Sequence, residues 1–227
     1  MGKYIVIGGS KGIGKAIINN LLEQHEVINI SRSAPEKEHN NLTHHTCDVI
    51  NEDLPEINEV DGLVYCPGSI NLKPINRLSV EDFKEDFEIN VIGAVKAMHA
   101  YLPALKNGTN PAVVFFSTVA SDLGMPFHAS VAASKSAVEG LTKSLGAELA
   151  PTVRVNAIAP TVTDTDLASK LLRNERMIEN MKDRHPLKKY LQPQEVADMA
   201  TFLLSDKAAS LSGQVFKMDC GITSFKI

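Results

Sequence analysis

A chain of 227 residues that is 44% hydrophobic has enough apolar material for one domain with a substantial core, which excludes a disordered or fibrous class. Its formal net charge of −4 provides no global basic surface for nucleic acid or anionic membrane, so neither partner is expected. Cys47, Cys66 and Cys220 are odd in number and far apart, so no disulfide framework or CxxC metal pair follows, and the cytoplasm is the expected location.

The apolar run at 3–7 reads as a buried strand. Residues 12–24 follow as a helix with Ile13, Ala16, Ile17 and Leu21 on one face. Strands are expected at 27–30, 43–47, 62–66, 112–116, 153–158 and 215–218. His44, His45 and Cys47 invite a metal, but strand alternation sends them to different faces, so no metal is expected. A long helical stretch covers 79–104 with a break near Asn90. Further helices are expected at 130–149, at 164–183 with a more polar character, and at 193–204, where Pro193 suits a first turn. The polar stretch 32–41, with Pro35, reads as a loop instead of a crossover helix. Residues 160–190 read as an irregular segment suited to a lid. No apolar run is long enough to span a bilayer.

Continuous apolar strands separated by helices imply an α/β fold: a Rossmann-type, doubly wound, mainly parallel seven-stranded sheet with helices on both faces, in one domain over 1–227. The first strand runs into Gly8-Gly9-Ser10-Lys11-Gly12-Ile13-Gly14 and then a helix. Glycines permit the tight turn and let bare backbone approach a pyrophosphate. The helix N-terminus adds unpaired N–H groups and a positive dipole end.

The spacing Gly8-x-x-x-Gly12-x-Gly14 resembles the short-chain dehydrogenase/reductase family, and the resemblance runs over nearly the whole chain. Cys47-Asp48-Val49 sits where the family has an aspartate contacting adenine. Cys66-Pro67-Gly68 replaces the family's Asn-Ala-Gly. Asn90, in Phe-Glu-Ile-Asn-Val, matches the helix asparagine. Val155-Asn156-Ala157-Ile158-Ala159-Pro160 matches the segment after the active-site helix, with Thr161 in place of a common glycine. Gly213-Gln214-Val215 through Asp219-Cys220-Gly221 matches the C-terminal strand. The resemblance implies a nicotinamide-cofactor site lined by Gly8, Ser10, Lys11, Gly12, Ile13, Gly14, Ser31, Arg32, Ser33, Asp48, Val49, Cys66, Pro67, Gly68, Asn90, Lys135, Pro160 and Val162. Thr165 matches the threonine that contacts the carboxamide. A helix N-cap is the plainer reading of Thr165.

The end of the second strand reads Ile30-Ser31-Arg32-Ser33, without the carboxylate that commonly bonds an NAD ribose. Arg32 and Lys11 suit a 2′-phosphate, so the expected cofactor is NADP(H).

At the centre, the resemblance implies a serine to polarise a carbonyl, a tyrosine to donate a proton, a lysine to hold the nicotinamide ribose and an asparagine to support a water chain. Asn90 and Lys135 are intact. Thr118 occupies the serine position, with Ser117 beside it. Val131 stands where the tyrosine belongs, and it cannot donate or accept a proton. Losing a positioned acid costs about 10²–10⁴-fold. A water ordered by Lys135, the substrate's own acid or a nearby side chain are the conceivable replacements.

His128 precedes Lys135 by seven residues, nearly two helical turns. The resulting His-x6-Lys has the spacing of the Tyr-x6-Lys in the family's enoyl-acyl carrier reductase branch. Lys135 nearby favours neutral imidazole at His128, which still donates one N–H. An enone substrate yields an enolate, less basic than an alkoxide and more tolerant of a weak donor. Ser117 with His128 is also a possible nucleophile–base pair, but no oxyanion motif accompanies it.

The expected function is NADPH-dependent hydride transfer to a small carbonyl or enone compound at an atypical centre. The alternative is an inactive NADPH-binding regulator or partner subunit. The resemblance further implies a homodimer or homotetramer built on the helices at 79–104 and 130–149.

Overall fold

Strands β1 (Lys3–Ile7), β2 (Glu26–Ser31), β3 (Leu42–Thr46), β4 (Gly62–Tyr65), β5 (Ala112–Phe116), β6 (Arg154–Pro160) and β7 (Val215–Met218) form one sheet in the order β3-β2-β1-β4-β5-β6-β7. Every pairing is parallel. The computed structural model describes all residues except Lys37, Lys226 and Ile227.

Alternation along the strands requires cover on both faces, because the central strands β1, β4 and β5 are buried almost throughout. Ile5 and Ile7 of β1 join Ile30, Leu63, Tyr101, Leu105 and Phe115 in one core. Tyr4 and Val6 join Ile17, Leu21, Val64, Val196 and Leu203 in the other. The first core is covered by α3 (Gly93–Asn107) and α4 (Ala129–Glu148). The second is covered by α1 (Gly12–Leu21) and α6 (Pro193–Leu204).

Three segments refine the expected boundaries. α1 ends at Leu21 because Gln24 and His25 both donate back to Leu21 O and turn the chain into β2. The stretch 79–104 is α2 (Val80–Phe87), a π-helical turn at Glu88–Ile92, and then α3. Ser79 and Asp82 cap α2 reciprocally. The π turn contains Asn90, where a break is expected; such bulges often re-aim functional side chains. The expected helix at 164–183 divides into a 3-10 turn at Asp166–Leu171 and α5 (Glu175–Arg184). Asn174 accepts from Met177 N and starts α5 afresh, so a short polar side chain competes with continuous helix.

The described residues of the 32–41 stretch, from which Lys37 is excluded, form no helix or strand. Strand order reverses between β1 and β4, whose neighbouring C-terminal ends open a crevice. Such switch points are where open α/β sheets bind ligands.

Candidate active site

A cavity of about 950 Å³ occupies this crevice. Every residue expected to hold the cofactor lines it, with the exception of Asn90. The glycine loop shapes its floor. Gly8 and Gly12 take φ of +79° and +52°, where side chains are disfavoured. A Cβ at Gly14 would lie 2.4 Å from Gly8 O, so the start of α1 packs on the loop only without one. Gly9 N donates to Asn29 Oδ1 at 3.1 Å. Asn29 is fully buried in β2. Its role in bracing the loop escapes sequence reading, although a lone amide inside an apolar strand is a signal.

At the outer end, Ser33 Oγ donates to Ser10 Oγ at 3.1 Å, and Arg32 lies exposed on the rim. Lys11 Nζ pairs with Asp166 at 3.2 Å, across from the glycine loop to the irregular segment. Asp48 accepts from Ile50 N at 3.0 Å and Asn51 Nδ2 at 3.1 Å. These bonds, with nearby Arg32, hold its carboxyl below the usual aspartate value despite an opposing desolvation. Thr165 precedes the 3-10 turn without capping it; its hydroxyl donates to Thr163 O instead, which removes the N-cap reading.

At the inner end, Lys135 is buried and its Nζ donates to Phe116 O at 2.8 Å. Burial lowers its pKa to about 8, opposed by Cys66 and Asp86 nearby. Burial also pushes the Cys66 thiol up to about 12. Val131 is buried and lines the same cavity.

Thr118 Oγ1 accepts from Ala120 N at 3.3 Å, which leaves its own proton uncommitted among the described residues. Ser117 differs from expectation. Its hydroxyl donates to Glu139 Oε1 at 2.6 Å, and Ser121 donates to the same carboxylate oxygen. The Ser117 proton is therefore committed to Glu139 on α4, and the nucleophile–base pair with His128 does not form.

His128 sits at the N-cap of α4 and lines the cavity with Lys135. Its Nδ1 lies 2.7 Å from Pro126 O. A carbonyl only accepts, so Nδ1 carries a proton, and in the neutral tautomer Nε2 is left as an acceptor. This corrects the expectation that neutral His128 donates to substrate: its single N–H is already used.

Asn90 is set back from the cavity. Its Nδ2 donates to Ser134 Oγ at 3.0 Å, and its Oδ1 accepts from Ser69 N at 3.3 Å. A Cβ on Gly68 would lie 3.4 Å from Asn90 Oδ1 and 3.6 Å from Lys135 Nζ, so bare backbone separates the two.

Sequence reading misses Ser69 and Asp86 entirely. Ser69 lines the cavity, and its hydroxyl donates to Asp86 Oδ1 at 2.6 Å. Asn71 Nδ2 donates to the same oxygen at 3.1 Å. Asp86 has no exposed surface. No metal-binding cluster occurs among the described residues, and none of their helices is long and apolar enough to cross a membrane.

A family model described as Enoyl-(Acyl carrier protein) reductase matches residues 10–223. The chain belongs to the short-chain dehydrogenase/reductase family. It is 34% identical, over 72% of this chain and 73% of the relative, to an inactive 2-(S)-hydroxypropyl-CoM dehydrogenase 2 from Xanthobacter autotrophicus. It is 26% identical to the NADPH carbonyl reductase 2 of Sus scrofa, over 96% of this chain and 95% of that one. The ligand-free structure of Thermoplasma acidophilum aldohexose dehydrogenase superposes with a TM-score of 0.92 at 28% identity, covering 99% of this chain and 95% of that chain. The family's members act on carbonyl and alcohol substrates and bind nicotinamide cofactors. This short-chain dehydrogenase/reductase shares their seven-stranded parallel sheet.

Proposed function

We propose that this short-chain dehydrogenase/reductase is an NADPH-dependent oxidoreductase that acts on a small carbonyl or enone compound through a non-standard centre. The observation that carries this reading is the single cavity joining the glycine cradle to buried Lys135 and the uncommitted hydroxyl of Thr118. The cofactor fits this chain's residues. The glycine backbone at Gly8, Gly12 and Gly14 leaves room for a pyrophosphate at the N-terminus of α1. Arg32, Lys11 and the Ser10–Ser33 hydroxyl pair offer charge and hydrogen bonds to a 2′-phosphate. The Sus scrofa relative named as NADPH-using supports the same choice.

Bound there, a reduced nicotinamide would supply a hydride. Lys135 anchors the inner ribose and, with its pKa near 8, carries positive charge at neutral pH. Thr118 holds the substrate oxygen by donating its hydroxyl proton. Val131 offers that oxygen only an apolar surface. An enolate tolerates this better than an alkoxide, which favours a conjugated substrate over a simple ketone.

The protein would be mixed with NADPH or NADH and with panels of ketones and enones, following cofactor fluorescence for binding and nicotinamide absorbance for turnover. NADPH consumption with an enone supports the proposal. Binding without consumption across both panels would leave the second reading, an inactive NADPH-binding regulator or partner subunit. Val131 and the likeness to a relative named inactive favour that reading. Assembly into a homodimer or homotetramer, action as one domain and a cytoplasmic location are part of the same proposal. Exposed Val80, Phe87 and Ile92 on α2 and the π turn give a second copy an apolar surface to cover.

A further inference from the structure

Behind the wall of the cavity lies an acid for which the centre described above has no use. Asp86 is fully buried, and its Oδ2 has no hydrogen-bond partner among the described residues. Such an oxygen is costly to bury unless something meets it. Oδ1 is met twice, by Ser69 Oγ at 2.6 Å and Asn71 Nδ2 at 3.1 Å. The short serine bond has the length of a charge-assisted O–H···O⁻ contact. Ser69 in turn faces the cavity. Its backbone N donates to Asn90 Oδ1, and Asn90 Nδ2 approaches Ser69 Oγ at 3.4 Å. Ser69 immediately follows Gly68, the glycine that lies against Lys135 Nζ. The arrangement therefore offers a serine that lines the cavity, with its hydroxyl bonded to a buried carboxylate.

We propose that Ser69 exchanges the substrate proton in place of the absent tyrosine, with Asp86 as the positioning residue that takes that proton from it. This rests on the oxidoreductase reading above. In the oxidative direction, the alcohol carbon gives its hydride to the oxidised nicotinamide. The hydroxyl proton passes to Ser69 Oγ, and the O–H electron pair becomes the second carbonyl bond. The proton already on Ser69 moves to Asp86 Oδ1, so the serine ends neutral and the carboxylate becomes a carboxylic acid. Reduction runs the same transfers backwards from protonated Asp86. The observed Ser69-to-Asp86 hydrogen bond points in the direction that oxidation requires. Lys135 faces Asp86 from α4, while Asp82, one turn earlier on α2, is paired with Lys73 at 2.7 Å.

The test compares wild type with Asp86→Asn, which keeps shape and Oδ1 acceptance, with Ser69→Ala, and with Ser69→Thr, which restores a hydroxyl. Alcohol oxidation and carbonyl reduction are followed across pH, and NADPH affinity is measured alongside. Asp86→Asn and Ser69→Ala should lower kcat by about 10²–10³-fold with NADPH affinity within about threefold. Asp86→Asn should also abolish the acid limb of the oxidation profile, and Ser69→Thr should recover most of the rate. Variants within twofold of wild type in kcat and in pH profile overturn the proposal.

A second readout needs neither cofactor nor turnover. Infrared difference spectra of the cofactor-free protein during a pH titration should show a protonated-carboxyl band that Asp86→Asn deletes and Ser69→Ala displaces. A band unaffected by Ser69→Ala overturns the coupling. A wild-type protein that consumes no cofactor defeats the oxidoreductase reading, and this infrared result then decides by itself whether Ser69 and Asp86 exchange a proton.

Discussion

The ribose end of the cavity is made from loop backbone and exposed side chains, whereas the carbonyl end is assembled mainly from buried side chains. The first comes from the β1–α1 turn and the end of β2, joined by the hydrogen bond from Ser33 Oγ to Ser10 Oγ. The second brings together Ser69 after β4, Asp86 and Asn90 around the π turn, Thr118 after β5, and Val131 and Lys135 on α4. Backbone and rim charge do the work at one end, and a network of buried side chains does it at the other. Under the proposed function, a substitution at the ribose end should change which cofactor is chosen. A substitution at the carbonyl end should instead change proton handling and leave the cradle in place.

Four substitutions would break or sharpen this contrast. The largest effect is expected at the carbonyl end. Val131→Tyr should raise ketone reduction by about 10²–10⁴-fold, because it restores an acid beside Lys135; steady-state assays with NADPH and a ketone panel measure it. No gain, with the variant folded, would mean that more than the tyrosine is missing. At the ribose end, Arg32→Glu should shift the NADPH-over-NADH affinity ratio by about 10–100-fold, the scale of a lost charge-assisted bond. Fluorescence titration reads both affinities, and kcat on the preferred substrate at saturating cofactor should change little.

Lys135 connects folding with pH. Its pKa falls from 10.5 to about 8 on folding, so between those values the unfolded chain binds more protons than the native one. The cost of burying the charge is present in full below pH 8 and is relieved as pH rises toward 10.5. Lys135→Met should remove that rise, and the difference between wild-type and variant melting temperatures from pH 7 to 10 should narrow or change sign. Taking the difference cancels the contributions of titrating groups that do not interact with Lys135. The smallest effect is expected from Asp166→Asn. It frees Lys11 from an exposed ion pair and should tighten NADPH binding by about two- to fivefold, less at high salt.

Part of the centre was legible because its signals are local. Gly14 must be glycine to let α1 begin against Gly8 O, and that requirement appears directly as a spacing. Val131 is read as a departure from an expected residue at a fixed distance from Lys135, and the structure shows only that it lines the same cavity. His128 was found by its spacing too, but its tautomer follows from Pro126 O, two residues earlier, whose direction no periodicity reveals. The partner of Ser117 was not legible either: Glu139, 22 positions away, accepts its hydroxyl.

The order of apolar runs, glycines and helix caps by itself determined the alternating elements, the two-sided cover of the sheet and the phosphate cradle. Each of these depends on residues within a few positions of one another. Only the tertiary structure decided that Asn29 braces the glycine loop, that Asn90 stands behind the wall, and that Asp86 backs Ser69. Those assignments depend on where a buried polar atom finds its partner. Partners from distant segments become neighbours only when parallel strands and covering helices bring their ends to one crevice.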